Sequence, residues 1–440
     1  MARHGHANRT RLVHPRRDAL TSRRITAHTR RPVHGLTGAS TPVAEPRGEA
    51  VEDHLVDRGR VVVVGAGIGG LTAAIALRRD GHDVTVLERA TELREAGAGI
   101  GVWPNALRAL DEIELGTAME QIGAPFSSTV IQTWRGRRLS GFDPSRVVER
   151  LGRQPIIAAR ADVQRMFLRA ADGIPIQLGT PVTKVTPCPR GPVTVVTGDG
   201  TEIEAGLVVG ADGVRSAVRA SFDQSMPVLS PLLSWRAVVA GGPGIDDAWL
   251  SIGAGHEFLA SPLPGDRSYF AGLLGQIDHR APAAEMESLR GAYAGWHDPI
   301  PELLALIEKN TVRWDELRHR RRVRIPRAGN VVLIGDAAHP MTPDLGQGGC
   351  QAIEDAVTLA AALRHGEDAL DRFHRARRRR VRYVVNTSHR MGQILGARTQ
   401  LAAAVRDLVI PAVPQVIGLR QLAAIASVHA FEQNLALLQG

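Results

Sequence analysis

Residues 60–88 constrain the fold more than any other stretch of this chain. The apolar run Arg60–Val64 has the character of a buried strand, and Gly65-Ala66-Gly67-Ile68-Gly69-Gly70 follows it directly. Leu71–Arg79 then carries helical spacing, Asp80-Gly81-His82 reads as a turn, and a second strand, Asp83–Leu87, ends at Glu88. Strand, glycine-rich turn, helix, strand and acid in that order form the dinucleotide fingerprint, and they predict an α/β, Rossmann-like domain around a parallel sheet. Gly65 permits the tight turn, Gly67 lets a pyrophosphate approach the backbone, and Gly70 lets helix and strand pack closely, with Gly69 a further cofactor-binding candidate in the same turn. Glu88 lies 23 residues after Gly65, where an acid reaches the ribose hydroxyls of an adenosine; the competing reading is a solvated strand end.

Two further glycine-rich segments follow apolar strands. Gly206–Val209 runs into Gly210-Ala211-Asp212-Gly213-Val214-Arg215-Ser216, where Asp212 either serves a ligand-binding loop or caps the next turn. Val331–Ile334 runs into Gly335–Gly349, which reads GDAAHPMTPDLGQGG, and then into the helix-like Cys350–Leu363. Asp336 can accept hydrogen bonds from hydroxyls. Gly346, Gly348 and Gly349 let the backbone approach a flat ring, and the amides opening the helix present donors to negative charge developing on it. His339, between Ala338 and Pro340, reads more readily as a structural loop residue than as a base.

These segments, with Glu88-Arg89, GAGIGVWPNALRAL at Gly97–Leu110 and Arg160-Ala161-Asp162, resemble the single-component FAD-dependent aromatic hydroxylases and epoxidases, from about Val61 to about Gly392. The resemblance implies tightly bound FAD, NAD(P)H as a transient co-substrate and dioxygen. A flavin C4a-hydroperoxide would then hydroxylate an aromatic or polycyclic substrate or epoxidise an alkene. It also implies site roles. Glu88, with Arg89, would hold the adenosine ribose, and the segment containing Gly99 would lie along the flavin. Arg160 would sit beside the ribityl–pyrophosphate segment, Asp212 would tie the pyrophosphate-side loops together, and Asp336 would bind the ribityl chain. Gly348 and Gly349 would face the N1–C2 carbonyl edge of the ring. Two positions depart from the pattern: Ala159 stands where many members have His, and Asp344 where relatives often carry Asn.

An antiparallel substrate sheet is expected from Leu232–Ala240, Ala248–Ile252, Glu257–Ala260 and Arg267–Leu274. Candidate pocket walls for a small hydrophobic or aromatic substrate are Trp235, Arg236 and Val238, Phe258 and Ala260, and Tyr269 and Ala271, with Pro340, Met341, Thr342, Pro343 and Leu345 over the flavin face. Alternation sends half of each strand to the pocket, and either half satisfies the pattern. Trp235, Arg236, Tyr269 and Pro343 are the leading candidates. The expected organisation is an extension at 1–57, a first FAD-binding part at 58–225 with a possible substrate-side insertion about 122–154, the substrate sheet at 226–324, a second FAD-binding part at 325–385, and C-terminal helices at 386–440.

Composition excludes several classes. The net charge of +9 sits mostly in Met1–Ala50, which holds ten Arg against three acids, and no basic patch is interleaved with aromatics. Nucleic acid is therefore not an expected partner. Arg, His, Thr and Pro dominate that stretch without any apolar period, so an unstructured extension is expected, although a transit peptide shares the composition. Cys188 and Cys350 form no metal or disulfide motif and fit a reducing, cytoplasmic setting, and no run is suited to span a membrane. Two alternative functions are weighed. A flavin halogenase needs an active-site Lys and a Trp-rich loop, whereas Lys184 and Lys309 have no such context; a non-catalytic flavin-binding protein would not need the flavin-side loop. Only one fingerprint occurs, so NAD(P)H has no domain of its own.

Overall fold

The computed structural model describes residues 59–93, 98–126, 130–188, 191–241, 245–275, 282–307, 312–320, 327–366 and 368–439. The expectations for the extension 1–57, for Gly97, for 242–244 and for 321–324 lie outside the described residues.

A six-stranded sheet carries the first layer, in the order Arg327–Ala328, Val331–Leu333, Leu207–Gly210, Val61–Val64, Val84–Leu87, Ile176–Gln177. Val61 pairs in parallel with Leu207 on one side and Val84 on the other. Its central strands are Val and Leu throughout except for Thr85 and Gly210, because both faces are covered. Val61, Val63, Val209 and Val332 pack towards the helices Ile68–Arg79 and Gly348–Leu363. Val62, Val64, Val208 and Leu333 pack the other way, with Val185, Val193 and Val195 of a separate antiparallel sheet, Val182–Thr186, Val193–Thr197 and Glu202–Ala205.

The second layer is a seven-stranded sheet in the order Arg313–His319, Val228–Ala240, Arg267–Gly275, Glu257–Leu263, Trp249–Ile252, Val130–Thr133, Arg138–Ser140. The four strands expected from sequence are all present, the first extending back to Val228. Residues 122–154, where a substrate-side insertion is expected, supply two strands to this same sheet. One feature differs from expectation: 226–324 also contains two helices, Pro282–Ala292 and Ile300–Leu306. Those helices exist to cover one face. Trp235, Ala237, Phe258, Ala260 and Phe270 pack there against Leu289, Tyr293, Ile300 and Leu303. The opposite face carries Val238, Leu259, Tyr269 and Ala271, which pack with Trp103, Phe126, Ile157 and Ala159. That face looks onto the small sheet of Gly99–Val102, Ile156–Ala159 and Gly123–Pro125, and so onto the nucleotide-binding layer. The chain ends in helices Ala369–Leu395, Gln400–Ala412, Gln415–Ala426 and Val428–Ala436.

Candidate functional site

The glycine turn after Val64 divides its residues between packing and openness. Gly65 has φ +105°, and a Cβ there would meet the Ala211 carbonyl oxygen at 2.6 Å; one on Gly70 would lie 1.9 Å from the oxygen of Gly65. Gly69 abuts Ala352 of the helix Gly348–Leu363, at 3.1 Å from a built Cβ. Gly67 alone of the four faces open space. The helix that begins beside it has no side-chain cap, so its first amides are left for a ligand. Glu88 braces the turn from the second strand, its carboxylate accepting from the amides of Ala66 at 2.7 Å and Ala90 at 2.9 Å. Arg89 is exposed next to it.

A cleft opens from this turn, lined by Ala66, Gly67, Ile68, Leu71, Arg160, Gln164 and Phe167. Its far wall is the helix Arg160–Ala170, which turns Val163, Met166 and Phe167 inward and leaves Arg160 at its first position, its backbone N–H donating a hydrogen bond to the Ala98 carbonyl at 2.9 Å. Asp212 stands behind the turn. One oxygen accepts from the amides of Ala217 at 2.7 Å and Val218 at 3.1 Å, capping a short helix. Its Oδ1 is buried with no hydrogen-bond partner in the protein, and burial raises its pKa. Asp336 lies in the turn Gly335–Ala337. Its carboxylate reaches solvent yet is ringed by protein, as in the floor of a groove. Those walls raise its pKa, while His339, Arg160 and Arg219 pull the other way. Arg160 and Asp336 therefore address the same recess.

The loop from Pro340 to Gly349 closes the other end. Gly346 adopts φ +60° with the Trp103 indole nitrogen 3.2 Å from a built Cβ, and Gly349 packs on Ile100, 2.6 Å from one. Gly348, like Gly67, faces open space, and the sixteen-residue helix it opens also lacks a side-chain cap. Two uncapped helix starts, each beside an open glycine, frame a long groove. Cys350 is buried beneath it, its thiol pushed up to about 12, so it packs rather than reacts.

Sequence reasoning missed what holds this loop. The Asp355 carboxylate accepts from the Gly335 amide at 2.8 Å and contacts His339 Nε2 at 2.6 Å, while Arg377 donates to it at 2.6 Å. Arg377 also pairs with Glu354, which Asn105 and Arg380 reach at 2.6 Å. All of these are buried, Arg380 nearly so. The guanidiniums hold Glu354 low and Asp355 down at about 2, both against the cost of burial. The available signals were Glu354-Asp355 inside an otherwise apolar helix and an arginine run 22 residues later.

The four pocket candidates separate between the seven-stranded sheet (the roof sheet) and the loop Pro340–Gly349. Tyr269 is buried with its ring against Gly99, where a Cβ would lie 2.6 Å from the ring, and Arg236 and Arg160 are the cations that face it. Arg236 shares that face and is ion-paired with Asp315. Trp235 lies on the opposite face, fully buried, with its indole donating to Tyr293 Oη at 2.8 Å. Pro343 opens an exposed turn in the flavin-side loop. Next to it, Asp344 lies against Gly392 and near Glu257, whose buried carboxyl is raised to about 8, first by burial and then by the Asp344 charge.

Comparison with known proteins agrees with this geometry. The family model described as FAD binding domain matches residues 58–388. An aurachin C monooxygenase/isomerase from Stigmatella aurantiaca is 36% identical over 357 residues, covering 79% of this chain and 92% of that protein. An FAD-dependent urate hydroxylase from Klebsiella pneumoniae is 34% identical over 344 residues, covering 74% and 88%. The crystal structure of Klebsiella pneumoniae HpxO complexed with FAD and uric acid superposes with a TM-score of 0.78 at 29% identity, over 85% of this chain and 98% of that one. The glycine turn, Asp212 and the loop after Asp336 all lie within the stretch that the family model matches, and the chain belongs to the family of single-component FAD-dependent aromatic monooxygenases.

Proposed function

We propose that this chain hydroxylates a small planar, electron-rich aromatic or nitrogen-heterocyclic ring, with NAD(P)H as a transient reductant. The observation that carries this reading is the roof face with Arg236 and Tyr269, the tyrosine ring set against Gly99. An arginine beside an aromatic ring suits a flat, polarised or anionic substrate. The relatives named for urate and for 3-amino-4-hydroxybenzoate act on such rings.

The residues present fit FAD. Gly67 and Gly348 leave room where a pyrophosphate and a flat ring must approach, and the unpartnered Oδ1 of Asp212 is turned to no protein group. When bound, FAD supplies the electron transfer and the activation of dioxygen. The protein supplies position and charge. Glu88 would hold the adenosine ribose, with Arg89 beside it; Arg160 would sit by the pyrophosphate, and Asp336 would accept from ribityl hydroxyls. The amides of Gly348 and Gly349, at an uncapped helix start, would be the donors offered to the ring, where the helix dipole favours negative charge. Tyr269, Met341 and Leu345 keep water from the reacting face. Lys184 lies exposed on the strand Val182–Thr186, beyond the far face of the parallel sheet, which leaves a halogenase reading without its lysine among the described residues.

The test is NADH and NADPH oxidation by the yellow protein across hydroxybenzoates, hydroxypyridines, quinolones and purines. One ring class should stimulate oxidation and yield a hydroxylated product. Peroxide alone from every ring would contradict the reading.

A further inference from the structure

The helices Gln400–Ala412 and Gln415–Ala426 invert the usual pattern of a surface helix. Leu401 and Leu408 are each 76% exposed, and Val405, Val409, Val413, Val416 and Ile417 are also exposed, whereas Arg406 is only 5% exposed. Arg406 is turned inward, donating to the carbonyls of Gly253 at 2.9 Å and Leu395 at 2.5 Å and pairing with Asp407 at 2.8 Å. Arg406, paired with the helix's one other charged side chain, thus ties the first helix to the turn after Trp249–Ile252 and to the end of Ala369–Leu395, and its outward face is aliphatic. The second helix continues that surface after a 94° bend while burying Leu419 and Ile425 against the helix Pro144–Leu151. A contiguous aliphatic surface of this kind marks an interaction site.

Charge decides the partner. Between Arg375 and Ala426 the chain has ten arginines and a single carboxylate, Asp407, which is already paired. Seven of those arginines are exposed: Arg375, Arg378, Arg379, Arg382, Arg390, Arg398 and Arg420. Five of them lie on the helix Ala369–Leu395, whose exposed stripe ends at Ile394 and leads through Arg398 into Leu401. A second copy of this chain would set one arginine-rich margin against another. An anionic bilayer offers an apolar interior for the leucines and phosphates for the arginines. Neither helix is long enough to span a bilayer, and the bend between them fits an element lying in the interface plane.

We propose that the surface formed by these two helices and their arginine margin docks the enzyme on an anionic lipid bilayer. The leucines and valines enter the acyl boundary and the arginines engage headgroup phosphates.

The test is flotation of the flavin-loaded full-length protein with vesicles of phosphatidylcholine alone or with about a third phosphatidylglycerol. The protein should float with the anionic vesicles and release at high salt. The Leu401→Gln/Leu408→Gln/Ile417→Gln variant should lose roughly tenfold or more of that partitioning, and so should Arg382→Gln/Arg390→Gln. Three results would each overturn the proposal: a wild-type protein that stays soluble with both vesicle types, equal partition into both, or a wild-type dimer that the leucine variant converts to monomer without any vesicle binding. If the leucine variant loses its flavin, the arginine pair decides alone, and unchanged anionic binding in it refutes the proposal.

Discussion

At the scale of single residues, the site depends on where side chains are absent and where carboxylates have no protein partner. Gly67→Ala adds a methyl group to open space, so the protein should fold with its melting temperature little changed and bind FAD more weakly. Gly70→Ala forces a Cβ to within 1.9 Å of the Gly65 oxygen and should destabilise the apoprotein itself. Parallel melting curves and flavin titrations separate the two. On the proposed role of Asp336, Asp336→Ala should remove charge-assisted hydrogen bonds to FAD worth about 1.5–3 kcal/mol, so affinity should fall about ten- to a hundredfold. Such a variant should purify pale and regain colour with excess FAD; full occupancy as purified would remove Asp336 from the site. Glu257 makes a prediction about pH. Its folded pKa of about 8 is above its ordinary value, because burial and Asp344 outweigh Arg406. Native protein therefore holds a proton that unfolded chain releases, and stability falls as pH rises from near 4.5 through about 8. Thermal melts of wild type and Glu257→Gln across that range should show the variant losing less. Identical slopes would place the ionisation elsewhere.

At the scale of elements, the sequence made the glycine turns legible because their chemistry is local. Strand, turn and helix adjoin in sequence, so Gly65 and Gly70 could be assigned without tertiary information. The buried ion network could not be assigned that way. Asp355 and Arg377 lie 22 residues apart on two helices, and their pairing follows only from how those helices cross. The roof sheet had the same limit in another form. A period of two shows that Trp235 and Arg236 face opposite ways, but only the packing of Pro282–Ala292 and Ile300–Leu306 shows that Trp235 belongs to the covered face. Those helices went unread in a segment dominated by strand patterns. The network yields its own prediction. Arg377→Ala leaves Glu354 and Asp355 buried with less compensation and should cost about 3–5 kcal/mol in urea unfolding. Because Asp355 also holds Gly335 and His339, the variant should release FAD faster than its loss of stability alone would require. Normal FAD release from the folded variant would show that the network supports the fold without setting the loop.

At the scale of the whole molecule, a parallel sheet and a mixed roof sheet enclose one groove, and the chain carries one dinucleotide fingerprint for one dinucleotide. Under the proposed use of NAD(P)H, the reductant would have to meet the flavin without a domain of its own, and Gly348 puts no side chain in the way of a shift of the ring. Substrate binding should therefore speed anaerobic flavin reduction in stopped-flow experiments; equal rates with and without substrate would defeat that coupling and leave the assignment standing. The central claim, that this groove directs oxygen from dioxygen onto an aromatic ring, is tested most directly by isotope labelling. With the ring compound that stimulates NAD(P)H oxidation, turnover under labelled dioxygen in ordinary water should give a product carrying one labelled oxygen atom, in proportion to NAD(P)H consumed. Product oxygen derived from water, or labelled peroxide with the ring compound unchanged, would contradict it.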